Sequence, residues 1–271
     1  MITDITSPAN AVFKALKSLN DKKGRRETGL FLAEGLRVCT EALAMGHVPR
    51  YLIFASDAEA HPLTQALIAA TVQGRGLAIR STRELLHRLT GKDNPGAVAA
   101  AYTIPDTGLD RIDRRTAKLW VVAENLKDPG NLGTMLRTCD ATGAGGVILL
   151  DQSCDPFSLE AVRASMGGIF TRQVAQASGA DFLHWLRAGA GQLVGAALDG
   201  HTVDYRAHAF VAPVFLFMGN EQSGLPPAYV SACDALVRLP MRGTADSLNV
   251  AVATAVLLYA ALAQLDPLAL G

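Results

Sequence analysis

Three stretches of the chain concentrate polar residues where packing alone does not ask for them. In the first, an apolar run ending at Ala123 opens into Glu-Asn-Leu-Lys-Asp-Pro-Gly, and a helix is expected to start at Asn131, a good capping residue. Arg137 follows at mid-helix as the lone cation among Leu132, Met135, Leu136 and Cys139. It is either a solvated side chain on the outer face or a charge offered to an anion. In the second, the apolar run 214–218 ends in Gly-Asn-Glu-Gln-Ser-Gly. Its glycines let backbone amides approach a ligand closely. Glu221 reads either as charge complementarity at a helix start or as a site carboxylate. In the third, a short strand stops at Pro240, a polar loop follows, and Asp246 or Ser247 is expected to cap a long apolar helix. Asn249 then falls in the first turn, where a polar side chain needs a partner.

Other chemistries are excluded. There is no phosphate-binding G-x-x-x-x-G-K-[ST] string and no G-x-S-x-G elbow. The glycine cluster 142–146 precedes a strand instead of following one, which is wrong for a dinucleotide fingerprint. Cysteines 39, 139, 154 and 233 form no C-x-x-C pair, the six histidines are scattered, and no metal site is expected. Twenty-five basic and twenty-five acidic residues give zero net charge, which excludes a polybasic binder but not a local patch. Residues 10–37 supply one: Lys14, Lys17, Lys22, Lys23, Arg25, Arg26 and Arg37 outnumber Asp21, Glu27 and Glu34. No aromatic ladder interleaves that run, so base stacking is not visible there.

These groups must be held by a scaffold. The chain has 271 residues, 49% apolar and 18% charged, enough for two domains with real cores. A turn-rich linker over 105–116 separates a domain at 1–104 from one at 117–271. In the first domain, Ser7-Pro8 is expected to open a helix through Leu19 and a charged loop to follow it. A strand at 30–33, a helix at 35–45, a strand at 50–55, a helix at 61–71, a helix opened by Ser81 and a strand at 97–101 complete a small α/β unit. In the second, apolar strands at 119–123, 146–150, 192–197 and 214–218 alternate with helices at 132–141, 159–164 and 181–187. That alternation predicts a parallel sheet, with ligands gathered at the loops after 123, 197, 218 and 239. The uncharged stretch 247–265 is read as a buried helix and not as a membrane span. No signal peptide is visible at the N-terminus, and the cysteine usage suits a reducing cytoplasm.

The three stretches, in order and spacing, resemble the signature motifs of the SpoU (TrmH-like) RNA 2′-O-ribose methyltransferases of the SPOUT superfamily. The matching strings are Asn125-Leu-Lys-Asp-Pro-Gly-Asn-Leu-Gly-Thr-Met-Leu-Arg-Thr138, Phe217-Met-Gly-Asn-Glu-Gln-Ser-Gly-Leu225 and Leu239-Pro-Met-Arg-Gly-Thr-Ala-Asp-Ser-Leu-Asn-Val-Ala-Val-Ala253. Residues 162–170 also resemble the family segment between the first two. Residues 5–10, 17–26, 29–35 and 94–98 resemble the family's L30e-like substrate-binding domain. The resemblance implies an α/β protein with a trefoil-knotted, parallel-sheet C-terminal methyltransferase domain and a small N-terminal α/β domain. It implies S-adenosylmethionine as methyl donor, a homodimer, and methylation of a ribose 2′-hydroxyl in structured RNA, ribosomal RNA before tRNA. It assigns the central chemical role to Arg137, with Asn131, Glu221, Ser247 and Asn249 as the other polar site positions. Met218, Gly219, Leu239, Pro240, Met241 and Leu248 become the adenosine slot. Lys17, Lys22, Lys23, Arg25 and Arg26 become an RNA phosphate track. A free guanidinium stays protonated above about pH 12, so Arg137 acts as a strongly perturbed base or as a positioned cation at a developing alkoxide. The alternative is a non-catalytic RNA-binding or ribosome-assembly protein that retains the fold.

Overall fold

A computed structural model of the protein describes residues 2–92, 96–197, 202–220 and 223–267. The first part of the chain runs β1 (Ile2–Asp4), α1 (Ala11–Ser18), α2 (Lys22–Thr28), β2 (Leu30–Glu34), α3 (Leu36–Ala44), β3 (Tyr51–Ala55), α4 (Pro62–Gln73), β4 (Leu77–Ser81), α5 (Arg83–Thr90) and β5 (Val98–Thr103). The rest runs β6 (Leu119–Glu124), α6 (Pro129–Thr142), β7 (Gly146–Leu150), α7 (Leu159–Ala164), α8 (Gly168–Thr171), β8 (Gln173–Ala177), α9 (Gly179–Arg187), β9 (Gln192–Ala196), β10 (Val203–Asp204), β11 (Val214–Met218), α10 (Pro227–Val230), β12 (Ala235–Arg238) and α11 (Val250–Leu265). Two compact units result. One comprises residues 1–105 and 155–170, the other 106–154 and 171–271.

The first unit is a five-stranded sheet in the order β1-β4-β3-β5-β2. β1, β4 and β3 are parallel, and β5 runs antiparallel to both β3 and β2. Phe13, Leu16, Leu32, Ile53, Ile79 and Leu86 form its core. Three local expectations are corrected, one of them at α5, which is capped by Thr82, accepting from the Leu85 N–H, while Ser81 ends β4. The first helix opens at Ala11, because the Asn10 side chain accepts from Val12 and Phe13 N–H groups and Ser7 is not the cap. The expected charged loop is α2, closed by Gly29 in the left-handed conformation (φ 66°). Arg25 of α2 is 4% exposed. Its guanidinium donates to the carbonyls of Leu19 (2.7 Å) and Asn20 (2.9 Å) and pairs with Asp155 (2.7 Å). Glu34 is likewise buried, held by Arg163 and, at 3.6 Å, by Lys92. Segment 155–170 is therefore part of this unit's interior, and Phe157 and Phe170 pack on Phe31.

The second unit is an all-parallel seven-stranded sheet in the order β10-β12-β9-β11-β6-β7-β8. Every residue of β6, β7 and β11 is buried, as a sheet covered on both faces requires. Trp120, Val122, Ile148, Phe215 and Phe217 face α9, where Phe182 and Leu186 complete one core. The alternating residues serve the other face, on which α6 and α11 pack against each other and against β6 and β11. Succession along the chain reverses beside β6, the place where ligand crevices form in open α/β sheets.

Candidate active site

The first motif is set by a cap one turn earlier than expected. Asp128, not Asn131, is the N-cap of α6: its carboxylate accepts from the N–H groups of Gly130 (2.6 Å) and Asn131 (3.2 Å), and Pro129 occupies the first helical position. The Asn131 side chain is therefore not the capping group. The third motif is corrected the same way. Neither Asp246 nor Ser247 caps α11; Asn249 does, accepting from the N–H groups of Ala251 (2.9 Å) and Val252 (3.3 Å). The remaining Asn249 amide donates to Asn131 Oδ1 at 2.9 Å. The partner that Asn249 needed is thus a residue of the first motif. Arg137 lies on the exposed side of α6 and makes no hydrogen bond or ion pair among the described residues. Its charge is not committed to the protein.

A cavity of about 540 Å³ opens at the C-terminal ends of β9, β11 and β12, within the size range of small-molecule sites. Met218, Gly219, Leu239, Met241, Ser247 and Leu248 all line it; Pro240 is in the same loop but not on the wall. Sequence reasoning missed Ala196, Ala197, Asn220, Val230, Val237 and Arg238, which also line it. Strand ends signal Ala196, Ala197, Val237 and Arg238, the second motif contains Asn220, and Val230 of α10 carries no signal of its own. Of the four expected loops, those after β9, β11 and β12 build the cavity, and the loop after β6 builds the start of α6 instead. Gly219 has a steric reason: a Cβ there would run into the backbone of Gly224, whose N–H and carbonyl pair with Asn220 at 2.8 and 3.1 Å. The wall at that point is bare backbone beside apolar side chains, and Leu248 keeps 40% of its surface exposed. An adenosine-sized ligand fits such a slot, with peptide groups to bond a base edge and aliphatic walls to cover its faces. Glu221 lies outside the described residues.

The surrounding titratable groups narrow the chemistry. Burial pushes the thiols of Cys39, Cys139 and Cys233 up to about 12, so none is a thiolate nucleophile at neutral pH. Among the described residues no cluster of three His, Cys, Asp or Glu could hold a metal ion. Glu124 ends β6 nearly buried, and burial with the charge of Asp151 raises its carboxyl above the ordinary range. In the basic run, Lys17, Lys22, Lys23 and Arg26 are exposed. Arg25 is corrected: its guanidinium is consumed inside the fold and cannot meet a phosphate.

Comparison with known proteins follows the same lines. The SpoU rRNA Methylase family matches residues 118–259, and the MRM3-like substrate binding domain matches residues 10–100. An AdoMet-bound rRNA methyltransferase from Sinorhizobium meliloti superposes with a TM-score of 0.89 at 39% identity, over 96% of this chain and 97% of that one. The SpoU methyltransferase AviRb from Streptomyces viridochromogenes, in complex with AdoMet, gives 0.84 at 31% identity, over 94% and 98%. The 23S rRNA (guanosine(2553)-2′-O)-methyltransferase RlmP of Bacillus subtilis is 29% identical over 94% of this chain and 97% of its own length.

Proposed function

The chain belongs to the SpoU rRNA methylase family, and on that premise we propose that it is an S-adenosylmethionine-dependent methyltransferase acting on a ribose 2′-hydroxyl of ribosomal RNA. The observation that carries this reading is the Asn131–Asn249 hydrogen bond, which sets the helix bearing Arg137 beside the cavity lined by Ser247 and Leu248.

S-adenosylmethionine supplies a methyl group on a sulfonium sulfur, which leaves as a neutral thioether when the ribose oxygen takes the methyl. The chain's own residues do the rest. Met218, Gly219, Leu239, Pro240, Met241 and Leu248 form the slot and loops for the adenosine. Asp128 and Asn249 fix the first turns of α6 and α11, so Arg137 is held two turns into a helix whose start cannot drift. Its unpaired guanidinium faces the ribose oxygen and the neighbouring phosphate, and stabilises negative charge as the hydroxyl proton leaves to water. Glu221 and Ser247 orient the ribose or the loops.

The same reading assigns RNA recognition to residues 1–104, with Lys17, Lys22, Lys23 and Arg26 on phosphates. It places the trefoil knot in the C-terminal segment that returns α11 to α6. It makes the protein a homodimer, because α11 keeps Val252 (48%) and Tyr259 (43%) exposed on an otherwise apolar helix. It locates the protein in the cytoplasm with its RNA; among the described residues no helix is long and apolar enough to cross a membrane. Transfer of a tritiated methyl group from S-adenosylmethionine to ribosomal RNA, with mapping of the modified ribose, tests the reading. Incorporation at a defined 2′-oxygen is expected. Cofactor binding without incorporation into any RNA would favour the assembly-protein alternative.

A further inference from the structure

One wall of the cavity is formed by Gly219 and Asn220 together with the segment 223–230, which contributes Gly224, Leu225 and Val230. Its far end carries no fully buried residue, and Tyr229 and Val230 pack only in part on the core below. Two side-chain hydrogen bonds add directional anchors to that packing. At its start, Asn220 Nδ2 donates to the carbonyl of Asn125 at 3.0 Å. At its end, the Tyr229 hydroxyl donates to Asp151 Oδ2 at 2.6 Å, while Asp151 Oδ1 accepts from the Gly179 N–H at 3.0 Å. The Tyr229 ring also rests on Phe217, with centroids 5.1 Å apart.

Both anchors are unusual. Among the described residues only Arg75, Asn125, Asp151 and Met166 adopt positive φ without being glycine, and two of these four hold this segment (φ 52° for Asn125, 56° for Asp151). A left-handed backbone at a non-glycine residue costs free energy and persists where surrounding contacts require it. Gly179 is a third sign: a Cβ there would occupy the place of the Tyr229 hydroxyl. Burial and the Asp151 charge raise the Tyr229 phenol above its ordinary range, so it remains a donor at working pH.

We infer that Tyr229 and Asp151 are positioning residues for the cofactor: their hydrogen bond at the ends of α10 and β7 holds Leu225 and Val230 against the cavity. Neither residue lines the cavity, so the effect travels through the wall. The inference rests on S-adenosylmethionine occupying this cavity. Calorimetry on the full-length protein, with S-adenosylmethionine as the probe, tests both. Tyr229→Phe and Asp151→Ala should each weaken binding about five- to tenfold, a part of what a hydrogen bond to a charged group contributes. kcat at saturating cofactor should stay within about twofold. Asp151→Asn, which keeps one acceptor for Gly179 and an amide for Tyr229, should recover most of the affinity. Unchanged affinity in Tyr229→Phe overturns the inference, and so does a kcat that falls in step with affinity. No binding by the unsubstituted protein overturns the cofactor reading and the inference with it.

Discussion

Asn249 donates to Asn131 Oδ1 at 2.9 Å across 118 residues of sequence, while its own Oδ1 caps α11. One side chain thus performs two tasks that substitution can separate. Asn249→Asp keeps the capping acceptor and loses the donor, so it should retain stability and lose most methyl transfer. Asn249→Ala loses both, and should cost about 1 kcal/mol of stability as well, the usual worth of an N-cap. Thermal unfolding and a tritiated-methyl assay on the two variants check this. Full activity in the aspartate variant would show that the Asn131 bond has no part in catalysis.

Arg137→Ala should reduce turnover by roughly 10²–10³, the typical effect of removing one preorganised charge at a developing oxyanion. Cofactor affinity should remain within a few-fold, because no cavity residue comes from α6. Arg137→Lys should rescue little if the planar fork matters. Single-turnover rates and calorimetry separate the two effects, and near-normal turnover in the alanine variant would transfer the role to Glu221.

The basic run should divide cleanly. Arg25→Ala removes a buried guanidinium, leaves the carbonyls of Leu19 and Asn20 without that donor and the half-buried Asp155 without its ion-pair partner, and should cost about 1–3 kcal/mol in denaturant unfolding. Replacing Lys22, Lys23 and Arg26 together with glutamine should leave the midpoint almost unmoved but weaken RNA binding and flatten its salt dependence. An unchanged salt slope in a filter-binding titration would remove those side chains from the phosphate track.

Glu124 gives a pH signature. Its folded carboxyl titrates above its ordinary value of 4.5, through burial first and then Asp151, against the opposing charge of Lys127. From 4.5 up to the raised value the folded chain holds a proton that the unfolded chain has released, so stability falls as pH rises through that window. Glu124→Gln should gain melting temperature relative to the parent as pH increases from 4.5 toward neutrality. Parallel curves would mean that Glu124 ionises in the fold without penalty.

Val252→Glu places a charge on the exposed apolar face of α11 and, if the proposed homodimer forms through that face, should shift sedimentation to the monomer at micromolar concentration. Lys118, which already holds the other end of that helix through Asp266 (2.9 Å) and the Leu265 carbonyl (3.1 Å), is unaffected. A parent protein that sediments as a stable monomer would refute the assembly.

What was legible followed burial on both sides. β6, β7 and β11 read directly because doubly covered strands are continuous apolar runs, while β8 (Gln-Val-Ala-Gln-Ala) and the short β1 and β10 lie at sheet edges and carry no such run. α2 was hidden because Lys-Lys-Gly-Arg-Arg-Glu-Thr has no apolar stripe; its stability comes from Arg25 finding three acceptors in space. Caps were displaced for a related reason. Several capping types stand together at Ser7 to Asn10, Asp128 to Asn131 and Asp246 to Asn249, and tertiary contacts choose among them. Asn249 reads from the sequence as a polar residue in want of a partner, but only the packing of α6 on α11 makes Asn131 that partner.

The chain leaves the second unit after Cys154 and re-enters it at Thr171, having supplied Asp155, Arg163, Phe157 and Phe170 to the interior of the first. Neither unit is therefore a contiguous stretch of gene. A recombination event at the linker would transplant residues 1–105 without Asp155, the partner of Arg25, and without Arg163, leaving Glu34 with Lys92 alone. The architecture resists modular exchange, and a change of RNA target must come by substitution within an intact chain instead of by swapping one cassette for another.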